Sequence, residues 1–341
     1  MFNHLSVASA FSFKYGTTQP HDLVARAAQF GAPALAITDR DSLAGVIRFV
    51  QAAKDFGIAP IVGVNLALDN SRVTLLAQSG TGTDSGWRSL CRLMSALRLD
   101  RNPPTLHLEK IKTLSEYTSN LILLHGPDSQ IANLITKHRP DQALHEFNKY
   151  RPYFADSVIE CVSHLAPGDG PRSTGHAGRM LGFARDHDLP AVITNGVRML
   201  DAADGPVADI LDAARKLVPL HTRHVERANN EAYLKDNQQM RDLADEISRA
   251  AGERNGRALL RATQRIAERC ILSPQEFGLG GIELPEAQVV GVNNYQEMRA
   301  LLRSRCESGL NWRYSSSDDL AKARARLDDE LATVATLGYE S

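Results

Sequence analysis

The chain has 341 residues, 43% of them hydrophobic, with 39 Lys and Arg against 40 Asp and Glu and a formal net charge of −1. That length suits one large domain plus part of another, and the near-neutral balance removes any global pull toward nucleic acid or an anionic membrane. Four well-separated cysteines, Cys91, Cys161, Cys270 and Cys306, form no Cys-x-x-Cys pair, so reduced thiols are expected rather than a disulfide scaffold or a zinc knuckle. No apolar run approaches the roughly 20 residues of a membrane helix and the amino terminus has no signal-peptide core, so the expected location is cytoplasmic, with no membrane partner.

The first 65 residues read as strand, turn, helix, strand, loop, helix, strand. The runs Ala34–Ile37 and Ile58–Val64 have strand length. Leu23, Val24, Ala27 and Ala28 before Gly31, and Val46, Ile47, Val50 and Ala53 before Gly57, have helical spacing and end at a glycine. Such alternation implies parallel strands with right-handed crossovers and functional groups at the strand C-terminal ends. Ser6, Ala8, Asp39, Arg40 and Asn65 should converge there. Next, Leu66–Leu68 and Val73–Leu76 form a hairpin, and a helix over Trp87–Leu99 carries Leu90, Leu93, Met94 and Leu97 on one face. Its Arg88, Arg92 and Arg98 read as a solvated face rather than a phosphate stripe, and Arg101–His107 reads as a loop.

Leu121–Leu124 is a short buried strand ending in His125, a histidine without imidazole or carboxylate company. Ser157–Val162 is another, carrying Glu160. Glu160 and His164 could be read as an acid–imidazole pair, but four residues along a strand put them about 13 Å apart. Glu160 is instead expected to pair with an arginine and His164 to cap the next loop. The Gly/Pro/Ser-rich stretch Pro167–Gly175 lacks the ending of a phosphate-binding loop. A helix over His176–Asp188 leads to a strand, Ala191–Thr194, expected to close a barrel beside Ala34–Ile37. Helices follow over Asp201–Leu217, around Met240 and over Leu259–Cys270. His221 and His224 lie between them without a third metal donor. Glycines at Gly278–Ala287 mark a boundary, dividing the chain into 1–277, with a barrel core of about 1–205, and 278–341, two amphipathic helices.

Several phrases, in order, carry a resemblance: ALAITDRD (Ala34–Asp41), LAGVIRFVQAAKDFGI (Leu43–Ile58), PIVGVN (Pro60–Asn65), GWRSLCRLMSALRL (Gly86–Leu99), SHLAPGD (Ser163–Asp169) and AVITNGVRMLDAAD (Ala191–Asp204). They resemble the PHP (polymerase and histidinol phosphatase) domain at the front of bacterial C-family DNA polymerase III alpha subunits, most of all the error-prone branch. The resemblance implies an α/β fold, a distorted (β/α)7-type PHP barrel with appended helices, followed by the start of a polymerase palm. It also implies a parent enzyme for DNA-templated synthesis in translesion repair. Its remaining palm and thumb, its DNA and its Mg2+ site would lie beyond Ser341, so the chain is expected to be a truncated fragment with no cofactor of its own.

The departures from that family carry the mechanism. Where members with an active site place a His-x-His pair, this chain has Ser6 and Ala8; an aspartate before Gly16 is Tyr15. The histidine after Thr-Asp is Arg40, a glutamate is Asn65, and the late-strand Asp and His are Gly196 and Arg198. Asp39 and His125 remain. A metal cluster needs several imidazole and carboxylate donors per ion, and a guanidinium repels a cation. The resemblance therefore implies a degenerate metal site, no catalytic residue and a structural module. The alternatives are a metal-dependent phosphoesterase (3′–5′ exonuclease or pyrophosphatase) and an anion- or DNA-binding module using Arg40 and Arg198. Arg40 and Arg198 are further expected to ion-pair with Asp39 and Asp41 in place of metal charge.

Overall fold

The apolar runs become the strands of one seven-stranded sheet. In chain order they are β1 (Ala34–Ile37), β2 (Ala59–Leu68), β3 (Ser71–Ala77), β4 (Thr105–Leu106), β5 (Leu121–His125), β6 (Asp156–Val162) and β7 (Ala191–Thr194). The computed structural model describes all residues except 81–84, 101–102, 225–226, 280–283, 315 and 341. Parts of the expected 101–107 loop, of the His221–Asn230 loop and of the Gly278–Ala287 boundary thus lie outside the described residues.

The sheet runs β1-β2-β3-β5-β6-β7, with β4 paired to the C-terminal end of β2. Neighbours are parallel except at β3, which is antiparallel to both β2 and β5. The β2–β3 hairpin closes at Leu68 and Ser71 around a two-residue turn, with Asp69 at φ 50°, the left-handed conformation such tight turns require. Because β3 runs backwards, its first residues, Ser71 and Arg72, sit at the same end of the sheet as the C-termini of the parallel strands.

β7 does not lie beside β1, as the sequence suggested. Residues 4–8 come between them: the Ala36 and Thr38 amides donate to His4 and Val7 carbonyls (2.9 and 2.7 Å), and Ala8 and Val197 exchange amides across to Val197 and Ser6 carbonyls (2.8 and 2.9 Å). The sheet's two edges would otherwise leave buried donors and acceptors unpaired. The first residues of the chain satisfy both edges and curl the sheet into a distorted barrel.

Inside, alternation decides what is buried. Leu5, Ala34, Ala36, Ile61, Leu76, Ile122, Leu124, Val158 and Val192 form one apolar cluster with Ile266, Ala267 and Cys270, the last three from the helix Arg257–Cys270. The same inward-facing rows continue toward the mouth as Thr38, Asn65, Thr74, Gly126, Glu160 and Gly196. Period two therefore gives an oily floor and a polar rim.

Helices cover the outside. In chain order they are α1 (Pro20–Gln29), α2 (Val46–Phe56), α3 (Gly86–Asp100), α4 (Leu108–Thr113), α5 (Ser115–Thr118), α6 (Gln130–Thr136), α7 (Pro140–Tyr150), α8 (Thr174–Asp186), α9 (Gly205–Lys216), α10 (Asn237–Ala250) and α11 (Arg257–Cys270). Leu23, Val24, Phe49, Val50, Leu90 and Leu93 of the first three pack with outward residues of β1–β3 such as Leu35, Val62 and Leu75. Phe147, Met180, Leu181 and Leu243 pack with Ile159, Cys161 and Ile193 on the other side.

These elements make one compact unit, Met1–Phe277, and Gly278–Ser341 make a second. In the second, α12 (Tyr295–Arg313) and α13 (Ser317–Leu337) are joined by Arg303–Asp328 (2.8 Å), and Arg299 of α12 meets Glu340 (2.5 Å). Among the described residues no helix is long and apolar enough to cross a membrane.

Candidate functional site

At the mouth lies a cavity of about 60 Å³ whose walls include Ser6, Ala8, Tyr15, Arg40, Asn65 and Gly196. It shares Tyr15, Arg40, Arg72, Asp128 and Arg172 with a wider cleft of about 480 Å³, which Arg198 lines. Seven of the nine positions singled out in the sequence are thus brought together. Asp39 and His125 line neither space, and strand parity explains both: Thr38, Leu124 and Gly126 point inward, so their neighbours point out.

His125 is 1% exposed, with its ring 5.4 Å from that of Phe147 in α7. Burial pushes its pKa down to about 3, so it is a neutral core histidine. Asp39 is organised by the turn that follows residues 4–8. Its carboxylate accepts from the Ser9 amide (2.6 Å), the Ser9 hydroxyl (2.9 Å) and the Ser12 hydroxyl (2.8 Å). Burial raises the Asp39 pKa and these donors pull it back.

The expected pairing of Arg40 and Arg198 with Asp39 and Asp41 does not occur. Arg198 makes two hydrogen bonds with Asp212 of α9, both 3.0 Å, and a third to the Tyr15 carbonyl, also 3.0 Å. Asp41 instead accepts from Arg72 (2.9 Å), which also donates to the Asn65 side chain and carbonyl (both 2.7 Å). Arg40 lies with its guanidinium carbon 3.3 Å from the centre of the Tyr15 ring, and that of Arg198 is 4.1 Å from the same centre. Tyr15 is thus a platform for two cations.

Several functional side chains escaped the sequence reading. Arg72 falls in the expected hairpin turn but lies on β3, and only the reversed direction of that strand brings it to the rim. Arg172, from the Gly/Pro/Ser-rich loop that lacks a phosphate-loop ending, donates to Asp128 (2.6 Å). Arg215 and Arg227 line the cleft from α9 and the loop beyond it. His164 also lines it, its Nε2 2.7 Å from the Asn195 carbonyl. Burial first, and the nearby Arg172 charge second, lower the His164 pKa to about 3.

Glu160 was expected to meet an arginine. It meets a hydroxyl: Thr194 donates to it at 2.7 Å, and Ser6 is near enough to lower its pKa. Gly126 makes this possible, since a β-carbon there would collide with the Glu160 carboxylate. Burial raises the Glu160 pKa, partly offset by Thr194 and Ser6. A carboxyl raised in the folded state is fully accommodated below its unfolded pKa, about 4.3, and costs stability as pH rises toward the folded value. Glu160→Gln should therefore melt like the parent near pH 4 and several degrees higher at pH 7.5, as read by thermal denaturation across pH. An equal difference at both pH values would contradict the assignment.

Residues 4–164 match the family model described as PHP domain. Along 99% of its length the chain is 31% identical to the error-prone DNA polymerase of Symbiobacterium thermophilum and 29% identical to that of Ralstonia nicotianae, spanning 31% and 30% of those proteins. It is 29% identical to the DNA polymerase III subunit alpha of Buchnera aphidicola, again over 99% of this chain and 29% of that one. Among solved structures, a putative metal-dependent phosphoesterase from Bifidobacterium adolescentis aligns with 72% of this chain and 96% of its own, at 14% identity and a TM-score of 0.40. Residues 4–164 thus match the PHP domain model, and along nearly its whole length the chain is similar to bacterial DNA polymerase III alpha subunits and error-prone DNA polymerases.

Proposed function

We infer that this chain is the PHP-bearing part of an error-prone C-family DNA polymerase alpha subunit, serving translesion or repair synthesis in the cytoplasm. In this reading the barrel is a structural support for the palm and thumb and carries no phosphoesterase chemistry. The chain spans about 30% of the length of the curated relatives it matches, and the unit Gly278–Ser341 is assigned as the start of the palm. Template DNA and the Mg2+ of nucleotidyl transfer belong to the rest of such a protein.

One observation carries the structural role: the mouth residues do not fit a metal cluster. Among the described residues no group of three or more His, Cys, Asp and Glu is placed to hold an ion. The two carboxylates on the cavity wall are Asp128, held by Arg172, and Glu160, held by the Thr194 hydroxyl. Arg40, Arg72 and Arg172 line the same cavity, and a divalent ion there would face three guanidiniums.

The test is elemental analysis of the purified chain, with melting and phosphodiesterase and pyrophosphatase assays before and after chelation. The expected results are metal well below one equivalent, a melting temperature unmoved by chelator or added Mn2+ or Zn2+, and no hydrolysis. A stoichiometric metal whose removal lowers the melting temperature and abolishes hydrolysis would restore the phosphoesterase reading.

A further inference from the structure

We propose that the arginine-lined cleft at the barrel mouth is a binding site for a phosphate group, with Arg40 as the side chain that receives it. The wider cleft is lined by Arg40, Arg72, Arg172, Arg198, Arg215 and Arg227. Five of these have carboxylate partners: Arg72 with Asp41, Arg172 with Asp128, Arg198 and Arg215 both with Asp212, and Arg227 with Asp209.

Arg40 differs from the other five. Among the described residues its guanidinium has no carboxylate partner, although it sits on the wall shared by the inner cavity and the outer cleft. Its plane is held against Tyr15, and its backbone is tied to the Ser12 hydroxyl (2.9 Å). Burial first, and the neighbouring Arg72 and Arg215 charges, work against its own charge, while nearby Tyr15 and Asp128 favour it. A desolvated, oriented cation with no carboxylate in direct ion-pair contact is suited to receive an anion. The planar fork suits two oxygens of one phosphate.

The space fits the same chemistry. The cleft volume of about 480 Å³ exceeds what one phosphate needs and accommodates pyrophosphate or a nucleotide's terminal phosphate. The inner cavity adds Thr38 and Thr74, whose hydroxyls can donate to further oxygens. No bond is made or broken in this proposal. It holds whether or not the domain supports a polymerase core.

Isothermal titration at constant ionic strength would test it, using the chain with inorganic phosphate, pyrophosphate, and a short oligonucleotide with and without a 5′-phosphate. Saturable binding of pyrophosphate is expected, together with a melting temperature that rises with its concentration; chloride at equal ionic strength should do neither. Preference of the phosphorylated oligonucleotide over pyrophosphate would identify a strand end as the source, and the reverse a free anion. Arg40→Gln should weaken binding at least about tenfold. Should that variant fold poorly, Ala228→Glu, an exposed position on the cleft wall, should weaken it comparably through charge alone. Arg326→Gln, on an exposed helix of the second unit, should bind as the parent does. Absence of saturable binding, or equal affinity in the parent and both cleft variants, would overturn the proposal.

Discussion

Replacing Arg198 with alanine is expected to lower the unfolding free energy by about 3 kcal/mol. Asp212 is fully buried and Arg198 nearly so, at 0% and 6% side-chain exposure. Removing one partner leaves the carboxylate in a poorly solvating environment. Arg215, 3.0 Å from Asp212 and 30% exposed, offsets part of the loss, which places the expectation at the low end of what broken buried pairs cost. Burial alone would raise the Asp212 pKa, but Arg198 and Arg215 reverse the sign and hold it below the ordinary carboxylate value. A carboxyl depressed in this way stabilises the fold above its unfolded pKa, about 3.9, and ceases to do so as pH falls through the lower folded value.

The Arg198→Ala penalty should therefore be full at pH 7 and shrink toward pH 3. Lysine at this position keeps the charge but cannot make the paired hydrogen bonds, so Arg198→Lys should recover only part of the loss. Changing both partners, Arg198→Met with Asp212→Leu, should cost less than either single change, because no charge is then stranded. Urea unfolding across pH measures all of these. A penalty below about 1 kcal/mol at pH 7 would mean that the pair acts like an exposed salt bridge and does not hold the mouth closed.

Asp39→Ala is expected to cost about the same, roughly 3 kcal/mol. It removes the acceptor of three donors at once and leaves the Ser9 amide buried without a partner. Asp39→Asn keeps one carbonyl oxygen, and the serine hydroxyls can rotate to meet its amide, so a loss nearer about 1 kcal/mol is expected. The sign separates two views of this residue. Were Asp39 a former metal ligand left with uncompensated charge, neutralising it would stabilise the fold. If it is the keystone of the Ser9–Ser12 turn, as the hydrogen bonds indicate, losing the acceptor destabilises, and because burial raises the Asp39 pKa the asparagine penalty shrinks as pH rises. Equilibrium unfolding together with hydrogen exchange at the Ser9 amide distinguishes them.

Much of the architecture was legible in the residues themselves. Strand and helix positions follow from apolar periodicity, with Gly57 closing α2 in the left-handed conformation at φ 68°. The convergence of Ser6, Ala8, Arg40 and Asn65 on one cavity follows from alternating strands and helices, whose loops meet at one end of the sheet, although Asp39, expected with them, turns away; Tyr15 and Gly196 were singled out only through the family resemblance. These are local properties: side-chain volume, backbone preference and spacing.

Partner choice was decided only in three dimensions. Which carboxylate meets Arg198 depends on α9, fourteen residues later in the chain, packing back over the mouth. Arg72 reaches the rim because β3 runs opposite to its neighbours, and His125 leaves it because one residue of strand register reverses the face of the sheet. Residues 4–8 close the barrel because two sheet edges, far apart in sequence, present unpaired backbone groups in the same gap. In each case the free energy comes from pairing a buried polar or charged group, and such a group takes whatever partner the assembled fold brings within about 3 Å, which no local pattern encodes.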